Sequence, residues 1–310
     1  MRKLVAVVGP TATGKTDLAL RLALAFEGES VGADSRQVYR GMDLGTAKPT
    51  AEQRARVPHW LVDVADPDEE FGLARYLDLV QAALDDIWSR RRRAFLAGGT
   101  GQYVWALLEG WQVPRVGPDW ALRRELEERA HREGPQGLHA EVAALDPVAA
   151  RRLDPRNVRR VVRALEVMRR TGRPLSACQT RRPPDFPWLA LGLGLPSEEL
   201  YRRIDIRVDA MIEEGFVEEV RGLLARGYRP DLPAMSGIGY RQVCQHLAGE
   251  LSLEEAVARV KTETHRLARK QRNWFRRNDQ RIHWIDASAG DPFEEAARLV
   301  EAFVVRAAGA

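Results

Sequence analysis

Gly9-Pro10-Thr11-Ala12-Thr13-Gly14-Lys15-Thr16 fits the pattern G-x-x-x-x-G-K-[ST] in full, between an apolar run and a helix-forming stretch. Residues of these types at this spacing hold phosphate. The glycines let the backbone wrap an anion with its N–H groups pointing inward. The helix start that follows adds partial positive charge. Lys15 is placed to neutralise terminal phosphates and Thr16 to ligate Mg²⁺. Lysine otherwise occurs only at Lys3, Lys48, Lys261 and Lys270, so a lysine at this point asks for a specific role.

Such a loop implies a di- or triphosphate ligand and nothing finer. Kinases and ATPases, its commonest owners, add a second acid that helps hold magnesium. Here the buried segment Ala94–Ala97 runs into Gly98-Gly99-Thr100-Gly101 without a carboxylate. The acid follows the second strand instead, as Asp34 ahead of Ser35, Arg36 and Gln37. A carboxylate opposite a phosphate loop suits a general base acting on an acceptor. It also suits a magnesium ligand.

The elements that must position these groups alternate. Lys3–Val8 reads as a buried strand and 15–26 as a helix. Strands follow at 30–33, at His59–Val64 before the turn Asp66-Pro67, and at Ala94–Ala97, with a helix over 73–91 between the last two. Strands alternating with helices predict an α/β fold, a parallel sheet covered on both faces. From Asp119 to about Thr171 the texture is wholly helical, and Arg181-Arg182-Pro183-Pro184 reads as a linker before the strand Trp188–Leu195. Residues 114–186 are therefore expected to form a helical insertion between core segments 1–113 and 187–310. The core resumes with helices over 197–226 and 252–277, a strand Ile282–Ile285 and a last helix from Pro292.

The 310-residue chain has no apolar run long enough to span a bilayer and no leader-like N-terminus, so a cytoplasmic protein is expected. Cys178 and Cys244 are far apart and suggest neither a disulfide framework nor a zinc site. Formal charge is only +4, but arginines crowd 151–173 and 259–281, which permits an anionic polymer as partner.

Asp34–Pro49, Gly98–Gly101, Val162–Val167, Gly237–Gln242 and Arg269–Phe275 follow the phosphate loop in order along nearly the whole chain. In these blocks the sequence resembles the bacterial tRNA dimethylallyltransferase family. The resemblance implies a P-loop NTPase-like fold with a helical insertion that contacts tRNA. It implies alkylation of the exocyclic N6 of the adenosine 3′ of the anticodon, with dimethylallyl diphosphate as donor, Mg²⁺ as cofactor and the anticodon stem-loop of tRNA as partner. Gly9–Thr16 would then hold the diphosphate, although the motif alone suggests a nucleotide. Asp34 would take the N6 proton, and Thr100 would be a second polar contact where donor and base meet. Thr100 also fits the N-cap of a helix over Gly101–Leu108. The compact bacterial form is expected, without the zinc-finger tail of eukaryotic relatives. A monomer without membrane association is expected.

The tRNA contacts implied are Asp34, Ser35, Arg36, Gln37, Thr100, Arg123, Arg159, Arg160, Val161, Val162, Arg163, Gly237, Gly239, Tyr240 and Arg241. Arg156, Arg159, Arg160 and Arg163 have the spacing of one helix face, which could follow a phosphate backbone or be a solvated face paired with glutamates. Gly237–Arg241 reads as a loop with two glycines that permit close backbone approach. In Lys261–Arg281 basic residues interleave with Trp274 and Phe275; Leu267, Gln271, Trp274 and Phe275 fit a buried stripe, and Trp274 is expected in the core. Arg203 and Arg207, four apart on one helix, are a further option for the diphosphate.

Overall fold

The structure, a computed structural model, describes residues 2–305. The chain divides into two compact units: one runs to Trp105 and resumes at Asp185, and the other is Ala106–Pro184. The first opens with β1 (Leu4–Val8), α1 (Lys15–Ala25), β2 (Gly28–Gly32), α2 (Ala51–Arg56), β3 (His59–Trp60), α3 (Leu73–Ser89), β4 (Arg93–Ala97) and the start of α4 (Gly101–Leu108). The second holds α5 (Trp120–Glu133), α6 (Pro135–Leu145), α7 (Pro147–Ala150), α8 (Val158–Thr171) and α9 (Leu175–Cys178). The first then resumes with β5 (Trp188–Gly194), α10 (Ser197–Glu213), α11 (Phe216–Ala225), α12 (Tyr240–Leu247), α13 (Leu253–Trp274), β6 (Ile282–Asp286) and α14 (Phe293–Val305).

The six strands form one parallel sheet in the order β3-β2-β4-β1-β5-β6. Leu4 of β1 sits opposite Ala94 of β4 on one side and Trp188 of β5 on the other. Every residue of β1 is buried, as a central parallel strand covered on both faces requires. Because the strands are parallel, their C-terminal ends share one edge, where α/β folds place ligands. Gly9 follows β1, Gly98 follows β4 and Ala33-Asp34 follows β2, so three adjacent strands deliver the three chemistry-bearing segments to one edge.

The strand expected over His59–Val64 is only two residues long. Leu61 and Asp63 take positive φ of 61° and 58°, and Asp63 turns to meet Lys48 and Arg54 rather than extend the ladder. The helix expected over 197–226 breaks at Gly215 (φ 101°) into α10 and α11. In place of a loop reaching Arg241, the chain enters α12 at Tyr240, where the Gly239 N–H donates to Gln242 Oε1 at 2.9 Å. α13 starts at a reciprocal cap: Ser252 Oγ accepts from Glu255 N, and Glu255 Oε2 accepts from Ser252 N. In the second unit, α5, α6 and α8 close around Leu126, Leu138, Val142, Val161, Val162 and Leu165. No helix among the described residues is long and apolar enough to cross a membrane.

Candidate active site

Gly9–Thr16 wraps between β1 and α1 as a nest. Ala12 and Gly14 take left-handed φ of 63° and 89°, which turns successive N–H groups to one side. A Cβ at Gly9 would stand 2.5 Å from the Leu193 carbonyl oxygen of β5, so only glycine passes there. Thr13 Oγ1 donates to Pro10 O at 2.9 Å and closes the loop on itself. Lys15 Nζ reaches back to the same carbonyl at 2.5 Å. Thr16 lies in the first turn of α1 with a half-buried side chain.

Asp34 follows β2 on the neighbouring side of that edge. Its Oδ1 accepts from Arg36 N at 2.8 Å and from Gln37 N at 3.4 Å, a local turn that uses one carboxylate oxygen. Thr100 fixes this turn from β4: its Oγ1 accepts from Ser35 N at 3.0 Å and lies 3.4 Å from Ser35 Oγ, while its N–H donates to Ala33 O at 3.1 Å. The hydroxyl thus bonds across strands, and the α4 helix start uses the Thr100 carbonyl, which accepts from Tyr103 and Val104. The close crossing needs Gly98, where a Cβ would meet Ala33 O at 2.1 Å.

Desolvation of Lys15, with Arg207 nearby, lowers its ammonium to about 7, and the negative charge of Asp34 offsets part of that. The phosphate loop and the Asp34 carboxylate therefore share one electrostatic environment.

The Asp34–Pro49 segment is anchored further on. Gln37 Nε2 donates to Thr46 O and Ala47 O, and Arg36 Nη1 to Pro233 O at 2.8 Å and Ala234 O at 3.2 Å. The buried Lys48 meets Asp43 Oδ1, Asp63 Oδ1 and Tyr39 O within 2.6 Å. Glu219 accepts from Asp43 N, Leu44 N and the Tyr240 hydroxyl.

Several side chains expected at the RNA surface are engaged elsewhere. Tyr240 is 1% exposed, edge-on to Phe216, with burial and Glu219 raising its phenol well above its ordinary value. Val161 and Val162 lie in the core of the helical unit, because their face of α8 packs on α5 and α6. Arg123 and Arg163 converge on Glu166, which is fully buried: Arg123 donates at 2.8 and 2.9 Å and Arg163 at 2.5 Å. Burial alone would raise the Glu166 carboxyl, but these bonds and one from Asp119 N carry it below the usual carboxylate range. Arg156 precedes α8, since Asn157 caps that helix, and Arg156 pairs with Asp154. The four-arginine face reduces to Arg159 and Arg160, both exposed. Gly237 and Gly239 are buried, whereas Arg241 is exposed and lines an open cleft with Arg259 and Arg266.

Just past the end of α13, the C-cap residue Phe275 is in the core, 1% exposed. Trp274, expected inside, is 38% exposed with its ring against Gly101. Two residues gain importance from the geometry. Arg207 Nη1 comes within 3.5 Å of Thr11 Oγ1 on the phosphate loop. Gln271 accepts from Thr11 N and donates to Gly99 O. Its signal in the sequence is a polar residue inside an apolar stripe.

A phosphate nest with a lysine and a helix start, faced by a carboxylate held by hydrogen bonds from its own turn, defines a P-loop group transferase. The sequence profile described as IPP transferase matches residues 37–278, and the chain belongs to that family. It is 51% identical over 304 residues to the tRNA dimethylallyltransferase of Roseiflexus sp. (strain RS-1), covering 98% of this chain and 99% of that protein. It is 50% identical over 300 residues to the protein of the same name from Thermomicrobium roseum, covering 97% and 91%. The solved tRNA isopentenylpyrophosphate transferase of Bacillus halodurans superposes with a TM-score of 0.70 at 40% identity, over 98% of this chain and 96% of that one. A eukaryotic dimethylallyltransferase acting on tRNA shares the fold, with a TM-score of 0.81 at 24% identity over 99% and 80%.

Proposed function

We propose that this chain transfers the dimethylallyl group of dimethylallyl diphosphate to N6 of the adenosine 3′ of the anticodon in tRNA, releasing diphosphate. The observation that carries this reading is the pairing of the Gly9–Thr16 nest after β1 with Asp34 after β2 at the same C-terminal sheet edge, with only β4 between the two strands, where Asp34 acts electrostatically on Lys15. The nest and Lys15 stabilise the negative charge that grows on the diphosphate as the allylic C–O bond breaks. The amine nitrogen forms the new C–N bond, and its proton passes to the Asp34 carboxylate. Thr100 and Ser35 keep that carboxylate aimed. Asp34, Ser35, Arg36, Gln37, Thr100, Gly237, Gly239 and Arg241 are proposed to form the surroundings of the extruded base, through backbone where the side chain is engaged. The target base has to leave its stack to reach such a site.

Magnesium fits the donor set. Mg²⁺ at phosphate sites takes one or two protein ligands and fills its octahedron with phosphate and water. The Thr16 hydroxyl would be that ligand here, and the ion would supply charge neutralisation on the departing diphosphate. A cytoplasmic, monomeric enzyme goes with this reading.

The test supplies labelled dimethylallyl diphosphate, tRNA and Mg²⁺ without nucleotide. Label should appear on tRNA with diphosphate released, and nucleoside mass spectrometry should place it on N6. A requirement for ATP, or phosphorylation of an acceptor from γ-labelled ATP at a catalytic rate, would replace this reading with a kinase.

Arg159 and Arg160 are the helical unit's proposed grip on the anticodon stem-loop, because both are exposed in the first turn of α8. Reversing both to glutamate is expected to weaken tRNA binding and flatten its salt dependence. For each phosphate that no longer meets a guanidinium, the slope of log K against log salt should fall by about 0.7–0.9. An unchanged slope in a salt titration would return both residues to an ordinary solvated face.

A further inference from the structure

Gln271 is a polar side chain only 7% exposed, lodged between the phosphate loop and the turn after β4. Its Oε1 accepts the Thr11 N–H at 2.8 Å, and its Nε2 donates to Gly99 O at 3.0 Å. The amide has one workable orientation: flipped, it would set donor against donor at Thr11 and acceptor against acceptor at Gly99. Gly99 leaves just enough room, since a Cβ there would stand 2.3 Å from Nε2. Gln271 is therefore held from both sides.

One N–H of the nest is thus turned away from any anion and satisfied by protein. Its place in the loop matters. Lysine in such loops reaches the terminal phosphates, and Lys15 Nζ lies against Pro10 O, one residue before Thr11. The Pro10–Thr11 edge is consequently the terminal end of the polyphosphate path. A third phosphate extending past that edge would meet the Gln271 carbonyl oxygen, an acceptor, where it needs a donor. Arg207 reaches Thr11 Oγ1 at 3.5 Å, so positive charge is present there and what is denied to the anion is donor geometry.

We propose that Gln271 sets the length of polyphosphate this loop accepts, admitting a diphosphate and discriminating against a triphosphate by occupying the Thr11 N–H. The inference rests on the loop being a diphosphate-donor site, and it supplies the feature by which a motif shared with nucleotide-binding proteins would be kept for an isoprenoid diphosphate in the presence of ATP.

The test is calorimetric binding of inorganic pyrophosphate and tripolyphosphate to the full chain with Mg²⁺, free of tRNA and donor. Hydrogen bonds to charged groups set the scale, so the wild type should favour pyrophosphate by about tenfold or more. Gln271→Ala should bring the two ligands to near parity by gaining on tripolyphosphate. Gln271→Glu keeps an acceptor at Thr11 and adds negative charge, so it should widen the gap; this arm remains informative if the alanine variant folds poorly. No preference in the wild type, or equal losses of both ligands in the variants, would overturn the proposal and leave Gln271 a structural brace. Label transfer to tRNA by the wild type is scored separately. If transfer fails while the preference holds, the functional reading falls; if transfer succeeds without a preference, only the role of Gln271 falls.

Discussion

Asp34→Ala is expected to lower turnover by about 10²–10⁴-fold, the range that general acid–base catalysis supplies, while tRNA affinity stays within about a factor of ten. The structure explains the separation. The carboxylate is held by the backbone N–H groups of Arg36 and Gln37 and acts electrostatically on Lys15, whereas the exposed arginines of α8 belong to the helical unit. Asp34→Asn is the sharper variant. An amide oxygen still accepts from Arg36 N, so the turn keeps its shape, and the amide still hydrogen-bonds an amine. It cannot take the proton, so activity should fall nearly as far as with alanine. Single-turnover rates at saturating tRNA and donor, alongside tRNA binding isotherms, measure the two quantities independently. A near-normal rate in Asp34→Asn would remove Asp34 as the base. Loss of tRNA binding in step with rate would make it a structural residue of the turn.

The chemistry of this fold is legible where it is linear. Gly9–Thr16 carries its mechanism in consecutive residues, and Asp34 stands out because the strand Ala94–Ala97, where a second acid would be sought, runs into Gly98-Gly99-Thr100-Gly101 without one. What the chain order conceals is pairing between distant segments. Gln271 meets Thr11 across 260 positions, and no local pattern distinguishes an amide clamping two loops from a polar residue on a half-buried helix face. The arginine spacing at 156–163 predicts four charges along one face. The Asn157 cap excludes Arg156 from the helix, and the buried Glu166 claims Arg163 together with Arg123. Periodicity places side chains on a face but does not say which buried acid waits there. The same limit applies to Trp274 and Phe275, adjacent aromatics at a helix end. Tertiary packing separates them: Phe275 turns inward toward the Trp105 ring, while Trp274 lies over Gly101 and stays partly exposed. At β3 the sequence favours a longer strand, and the ion pairs of Asp63 with Lys48 and Arg54 override local propensity.

Lys15→Ala is expected to reduce donor turnover by about 10²–10³-fold, the effect of deleting one electrostatic stabiliser of a developing anion. The loop would keep its shape, because Thr13 Oγ1 closes it through Pro10 O without help from Lys15. A pH profile tests the same group. In the free protein the Lys15 ammonium has been brought down to about 7, first by desolvation and then by Arg207. A bound diphosphate favours the charged form and raises that value, so binding above pH 7 requires uptake of a proton. Below pH 7 the lysine is already protonated and contributes no pH dependence. Above pH 7 the dissociation constant should climb by about tenfold per pH unit until the raised value of the complex is reached. The donor ionises as well, so the informative quantity is the difference between the wild-type and Lys15→Ala profiles. Lys15→Arg retains charge at every accessible pH and should give a flat difference, with turnover limited by how well a guanidinium fits a path shaped for an ammonium. Parallel profiles for all three proteins would show that Lys15 stays charged without ligand, and that the nest backbone and magnesium, with no titrating lysine, account for diphosphate recognition.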